Sequence, residues 1–245
     1  MKAEGKRRER KIKLTLKNRS SIRMKLAALI SGGKDSSYAI FKALQEGHVV
    51  TDLVTIKPSN EDSYMFHSVN IHMTGLIAQA CSIPLTSQVS SGEKEKELDD
   101  LKKALAPLKV EGVAVGAIES EYQASRVRRI CDELGLVMYA PLWHKDPESL
   151  LFEMIECMDI IMIKVAAGGM DESWLGRRFD KKMIADLKEL NRKYRVHLAG
   201  EGGEYETLVL NAPYYGKKIK LVETKKLWMG DHGALKVIDA ELISK

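Results

Sequence analysis

Ser31-Gly32-Gly33-Lys34-Asp35-Ser36 stands between an apolar run, Lys25–Ile30, and a helical pattern over about Ser36–Glu46. Paired glycines let the chain turn its N–H groups inward with no Cβ in the way. The start of a helix adds orphan N–H donors and partial positive charge, so an anion suits this turn. Lys34 contributes a full positive charge, while Ser31, Ser36 and Ser37 contribute hydroxyls. Asp35 has the chemistry to hold Mg²⁺ against phosphates. Residues 31–37 are therefore read as phosphate-binding, with Lys34 and Asp35 as catalytic groups and Asp35 as the metal ligand. The spacing is not GxxxxGK[ST], and no GxGxxG precedes a carboxylate about 20 residues on, so neither a Walker loop nor a dinucleotide fold is supported. A mere turn with a helix cap is the plainer alternative. The strand before it and the helix after it speak against that.

Outward from this turn, strand and helix patterns alternate. Strands are predicted at Lys25–Ile30, Val49–Ile56, Leu85–Val89, Gly112–Val115, Val137–Tyr139 and Ile160–Val165. Helices are predicted at His72–Ala80, Glu93–Leu105, Ser120–Leu134 and Pro147–Cys157, with a polar turn at Pro58–Ser63. Such alternation predicts an α/β fold: a parallel sheet with helices on both faces, whose ligand sits at the carboxyl ends of the strands. Beyond about Gly168 the pattern changes to one helix, Lys181–Tyr194, and strands at Thr207–Leu210, Lys218–Glu223 and Ala234–Glu241. The expected organisation is a basic tail over 1–23, a nucleotide domain over 24–167 and a smaller α+β lobe over 168–245.

Composition narrows the class. The 245 residues carry a net charge of +5, but residues 1–23 hold ten Lys/Arg against two Glu, leaving a body with 29 basic and 32 acidic side chains. That body is not a nucleic-acid-coating surface. No apolar run approaches the roughly 20 residues that span a bilayer, and the amino terminus is too charged for a signal peptide. Cys81, Cys131 and Cys157 are odd in number and lack CxxC spacing, which excludes a disulfide framework and predicts a reducing cytoplasm. The histidines show no HExxH, so His67 and His72 are read as loop or surface residues.

Two further stretches fall on the sheet's active edge. Gly116-Ala117-Ile118-Glu119-Ser120-Glu121-Tyr122-Gln123-Ala124-Ser125-Arg126 follows a buried strand. There Tyr122, Gln123 and Arg126 near a helix start can contact phosphate or carboxylate, and Arg128 divides evenly between that role and a solvated face. Glu201-Gly202-Gly203-Glu204-Tyr205-Glu206-Thr207 gathers three carboxylates that repel one another unless solvated or facing a cation.

The SGGKDS turn resembles the PP-loop of N-type ATP pyrophosphatases, a superfamily including GMP synthetase, asparagine synthetase and tRNA-modifying enzymes, with a HUP-like adenine nucleotide alpha hydrolase-like fold. Together with GAIESEYQASR, Pro141-Leu142-Trp143 and EGGEYETLVLNAP, it resembles the diphthine–ammonia ligases, or diphthamide synthetases, from Met24 to the carboxyl terminus. The compact form without further carboxyl-terminal domains looks archaeal. One departure is Ala117, where the family often has Asp.

The resemblance implies amidation of the diphthine carboxylate on elongation factor 2, with ATP, Mg²⁺ and ammonium, through an acyl-adenylate, giving AMP and pyrophosphate. It implies Glu201 and Glu204 as catalytic, and Tyr122, Gln123, Arg126 and Glu201 to Thr207 (Gly202, Gly203, Glu204, Tyr205 and Glu206 among them) as substrate-binding. The quaternary ammonium of diphthine suits Glu201, Glu204, Glu206 and Tyr205, helped by Trp143 or Trp174. A PP-loop tRNA-modifying enzyme, or amidation of another small carboxylate, is the alternative. Homo-oligomer formation stays open.

Overall fold

The computed structural model describes residues 23–58, 69–90 and 96–245. Nearly all of the basic tail, most of the predicted 58–63 turn, His67 and the start of the helix expected from Glu93 lie outside them.

Strands β1 (Lys25–Leu29), β2 (Val49–Pro58), β3 (Leu85–Ser90), β4 (Gly112–Ala114) and β5 (Val137–Tyr139) form a parallel five-stranded sheet ordered β3-β2-β1-β4-β5. Central strands of such a sheet are covered on both faces and read as continuous apolar runs. Leu26, Ala27 and Ala28 of β1 are accordingly fully buried.

Helices α1 (Lys34–Gln45), α2 (Met73–Cys81), α3 (Lys96–Leu105), α4 (Glu121–Leu134) and α5 (Pro147–Cys157) cover the two faces. On one face α3 and α4 supply Leu98, Leu101, Val127 and Ile130 against Ala27 and Val113. On the other, α1, α2 and α5 supply Ile40, Ile77 and Leu151 to a core shared with the second sheet. The helix ends follow local chemistry. Ser120 caps α4 by accepting from Gln123 N, and Gly135 closes it at φ 68°. Asp146 caps α5, whose first residue is Pro147.

The second sheet runs β7-β6-β9-β8 and is antiparallel, built from β6 (Asp159–Val165), β7 (Tyr205–Asn211), β8 (Lys218–Trp228) and β9 (Gly233–Ile243), with helix α6 (Lys181–Tyr194) alongside. Ile160–Val165, expected within 24–167, pairs as β6 with β7 and β9 of this second sheet. Its apolar, β-branched run suits any strand covered on both faces, so the pattern marks a strand and leaves its sheet open. Asn70 ties the units further: its amide donates to Leu235 O at 2.7 Å and its carbonyl accepts from Val237 N at 2.9 Å.

The strand order reverses beside β1, whose neighbours β2 and β4 lie on opposite sides. Chains leaving β1 and β4 diverge to opposite faces and open a crevice, the usual ligand site of such sheets. The 31–36 turn leaves β1 and the 115–120 segment leaves β4.

Candidate active site

The crevice is a cavity of about 470 Å³. Ser31, Gly33, Lys34, Asp35 and Ser36 line one side; Gly116, Ala117, Ser120, Tyr122 and Gln123 another; Ala199 to Gly203, Tyr205, Glu206 and Thr207 the third. Leu29, Ile30, Val54, Ile56 and Ile71 give it an apolar wall. Three segments that are distant in sequence thus meet around one space.

The turn is held open by its neighbours. Gly32 sits at φ +88°, which a side chain rarely adopts, and its carbonyl accepts from Val209 N of β7 at 2.9 Å. Lys34 N donates to Thr207 Oγ1 at 3.0 Å, and Gly33 N donates to Ser31 Oγ. The N–H groups of Asp35 and Ser36 open α1, where a helix has no carbonyl of its own to offer them. Gly116 presses against the same point: a Cβ there falls 2.5 Å from Asp35 C and Ser36 N.

Lys34 does not reach outward. Its side chain is buried, and Nζ donates to Ala199 O at 2.6 Å and pairs with Asp35 Oδ2 at 2.9 Å, above the Tyr205 ring. It therefore anchors the 199–205 loop to the phosphate turn. Ser37, expected among the phosphate ligands, is fully buried and does not line the cavity. The helical turn rotates it towards the core.

The glutamates divide in a way that their spacing does not reveal. Glu201 Oε2 accepts from Glu119 N and Ser120 N at 3.1 and 3.0 Å, joining two walls of the cavity. Glu204 turns back instead, accepting from His197 N at 2.9 Å and Gly202 N at 2.8 Å, and does not line the cavity. Tyr205 is buried, donates its hydroxyl to Leu198 O and packs on Phe179. Burial pushes its phenol well above the ordinary range. Arg126 stacks over the Tyr122 ring at 3.6 Å, so Tyr122 faces the cavity while Arg126 supports it from behind. Arg128 is exposed, away from the cavity. Trp174 is buried under Arg177 and Trp143 packs beside His144, so an aromatic cage built from these tryptophans is not formed.

Two residues escaped the sequence reading. Lys164 of β6 lines the cavity and pairs with Glu206 at 2.9 Å. His197 Nδ1 accepts from Ala199 N at 3.1 Å and from Glu201 N at 3.4 Å, so Nε2 carries the proton and donates to Glu119 at 3.0 Å. A lone Lys in an apolar strand and a lone His in a loop give no spacing signal; only strand pairing and loop return reveal them.

Among the described residues no His/Cys/Asp/Glu group of three or more forms a metal cage. Mg²⁺ commonly binds through one or two carboxylates plus substrate phosphates, and Asp35 on the cavity wall fits that habit. No described helix is long and apolar enough to cross a membrane.

A parallel sheet with a glycine turn and a helix start at its switch point defines a nucleotide-binding α/β enzyme. The diphthamide synthase N-terminal domain model matches residues 24–138, and the diphthamide synthase C-terminal domain model matches residues 146–243. The chain belongs to the diphthamide synthase family and is a ligase. A diphthine–ammonia ligase of Rattus norvegicus is 40% identical over 227 residues, covering 83% of this chain and 84% of that protein. The Homo sapiens diphthine–ammonia ligase is 41% identical over 220 residues, covering 80% and 82%. A solved structure described as a predicted subunit of tRNA methyltransferase from Methanocaldococcus jannaschii aligns at 15% identity and a TM-score of 0.44, covering 78% of this chain and 98% of that one.

Proposed function

We propose that the chain amidates the diphthine carboxylate on translation elongation factor 2, using ATP and ammonium through an acyl-adenylate, with AMP and pyrophosphate as products. The observation that carries this reading is that the phosphate turn and the 199–207 loop share one cavity. Phosphates and an acceptor carboxylate can then be held side by side.

In this reading the triphosphate lies against Ser31, Gly33, Ser36 and the first N–H groups of α1, and the nucleoside lies along Ile30, Val54 and Ile56. Asp35 would hold Mg²⁺, which would supply positive charge against the phosphates. Lys34 acts through position, keeping Asp35 and the Ala199 carbonyl fixed while adding a buried positive charge behind the leaving pyrophosphate. Glu201 acts by joining the 119–120 segment to the acidic loop. Nucleotide and acceptor are assigned to the parallel-sheet unit and the second sheet respectively.

The cysteines take no nucleophilic part: burial raises the Cys131 thiol to about 11 and also raises Cys81 and Cys157. Free thiols in the described chain suit a cytoplasmic setting.

The test combines the chain with ATP, Mg²⁺, ammonium and elongation factor 2 bearing diphthine, and counts products by mass. AMP with a loss of roughly one dalton on the factor, as OH becomes NH₂, is expected. AMP without that loss redirects the search to other carboxylates or tRNA, and ADP refutes the mechanism.

A further inference from the structure

Lys164 on β6 stands opposite Glu206 on β7 in the antiparallel register, and its ammonium donates to Glu206 Oε1 at 2.9 Å. Both side chains line the cavity, Lys164 being 34% and Glu206 9% exposed. Lys34, the other ammonium in the lining, is 3% exposed and held by Ala199 O and Asp35. Among the described lining residues, the ammonium that can meet an incoming anion is therefore that of Lys164.

Its pairing changes what it selects. A lone lysine favours any anion, whereas Lys164 beside Glu206 presents a fixed dipole, positive on β6 and negative on β7. A ligand with a single charge engages one member of the pair and breaks the Lys164–Glu206 bond without replacing it, which is unfavourable for partly buried charges. A zwitterion replaces that bond with two contacts, one to each member.

Resting on the diphthine reading, we propose that the Lys164–Glu206 pair recognises the acceptor as a zwitterion: Lys164 takes its carboxylate and Glu206 its quaternary ammonium. A quaternary nitrogen has no N–H to donate, so its contact with Glu206 is one of charge alone, and the Lys164 ammonium is freed for the carboxylate. The carboxylate is thereby held in the same cavity as the phosphate turn. An acceptor lacking the quaternary charge leaves Lys164 on Glu206 and is poorly held. Lys164 and Glu206 are, on this account, the specificity-determining residues.

The experiment measures amidation of the diphthine-bearing factor across factor concentrations, at saturating ATP and ammonium, alongside ATP affinity by calorimetry and the melting temperature. Three proteins are compared: the unaltered chain, Lys164→Gln and the charge swap Lys164→Glu/Glu206→Lys. Lys164→Gln keeps a donor to Glu206 and removes the charge. Its KM for the factor is expected to rise about 10- to 100-fold with ATP affinity unchanged. The swap restores an ion pair between β6 and β7 with its dipole reversed, so melting returns towards that of the unaltered chain while KM stays raised.

A swap that recovers KM, or a Lys164→Gln variant with unaltered KM, overturns the proposal, because the pair then only ties two strands together. If the swap does not fold, Lys164→Gln decides alone. An unaltered chain that forms no amide on the factor overturns the diphthine reading itself, and this shows before any variant is compared.

Discussion

Gly116→Ala tests whether the chain leaving β4 sets the shape of the phosphate turn. The added Cβ falls 2.5 Å from Asp35 C and Ser36 N, and 2.7 Å from Asp35 O. All three are backbone atoms, so no side chain can rotate away. Ordinary contact begins near 3.4 Å, so the two segments must part by about 0.9 Å. Overpacking of this kind costs about 1–3 kcal/mol. If the phosphate turn yields, ATP affinity falls about 5- to 150-fold, at 1.4 kcal/mol per tenfold. If the whole fold takes the strain, the melting temperature drops about 2–4 °C per kcal/mol for a chain of this size. Calorimetric titration with ATP and a thermal melt read the two outcomes separately. Gly75→Ala is the control: nothing lies within 4 Å of its added Cβ inside α2, so it should stabilise by about 0.5–1 kcal/mol. A Gly116→Ala variant that matches the unaltered chain in both ATP affinity and melting refutes the reasoning.

Lys34→Met leaves the Ala199 carbonyl and the Asp35 carboxylate without their shared ammonium, and should destabilise by about 1–3 kcal/mol in denaturant melts, with ATP binding lost in parallel. Glu204→Gln should lower stability and speed amide exchange at His197 and Gly202, since one of its two N–H acceptors becomes a donor; unchanged exchange there would contradict the loop assignment. Alkaline pH should unfold the protein cooperatively. Burial raises the phenols of Tyr205 and Tyr215 well above the ordinary value of 10.0, so the folded state keeps protons that the unfolded state gives up. That stability is present below pH 10.0 and is lost as pH rises through the folded values. Melting temperatures measured between about pH 9 and 11.5 should fall, and Tyr205→Phe should flatten the fall; a flat profile in the unaltered chain rules this out.

The elements most legible in sequence were those whose pattern is local. The run Lys25–Ile30 with its glycine turn, the capped helix after Ser120 and the helix Lys181–Tyr194 all have boundaries that neighbouring residues determine. The sheet holding β6 was not legible, because a strand covered on both faces looks alike in either sheet. At the cavity, the three contributing segments were visible as motifs, but side-chain direction was not. Glu201 and Glu204 differ only by turn geometry, with Gly203 at φ +82° between them, and no spacing rule separates a wall residue from a brace. Lys164 and His197 carry no motif and emerge only when β6 meets β7 and the 197–201 turn folds back on itself.

The bonds from β7 to the phosphate turn have a consequence for biosynthesis. Val209 N and Thr207 Oγ1 secure Gly32 and Lys34, and Ala199 O secures the Lys34 ammonium. A ribosome that has made all of the parallel sheet has therefore not yet supplied what shapes the nucleotide seat. On the proposed reading, competence to bind ATP is deferred until residue 209 has cleared the exit tunnel, and a nascent chain stalled before that point carries the turn without its scaffold.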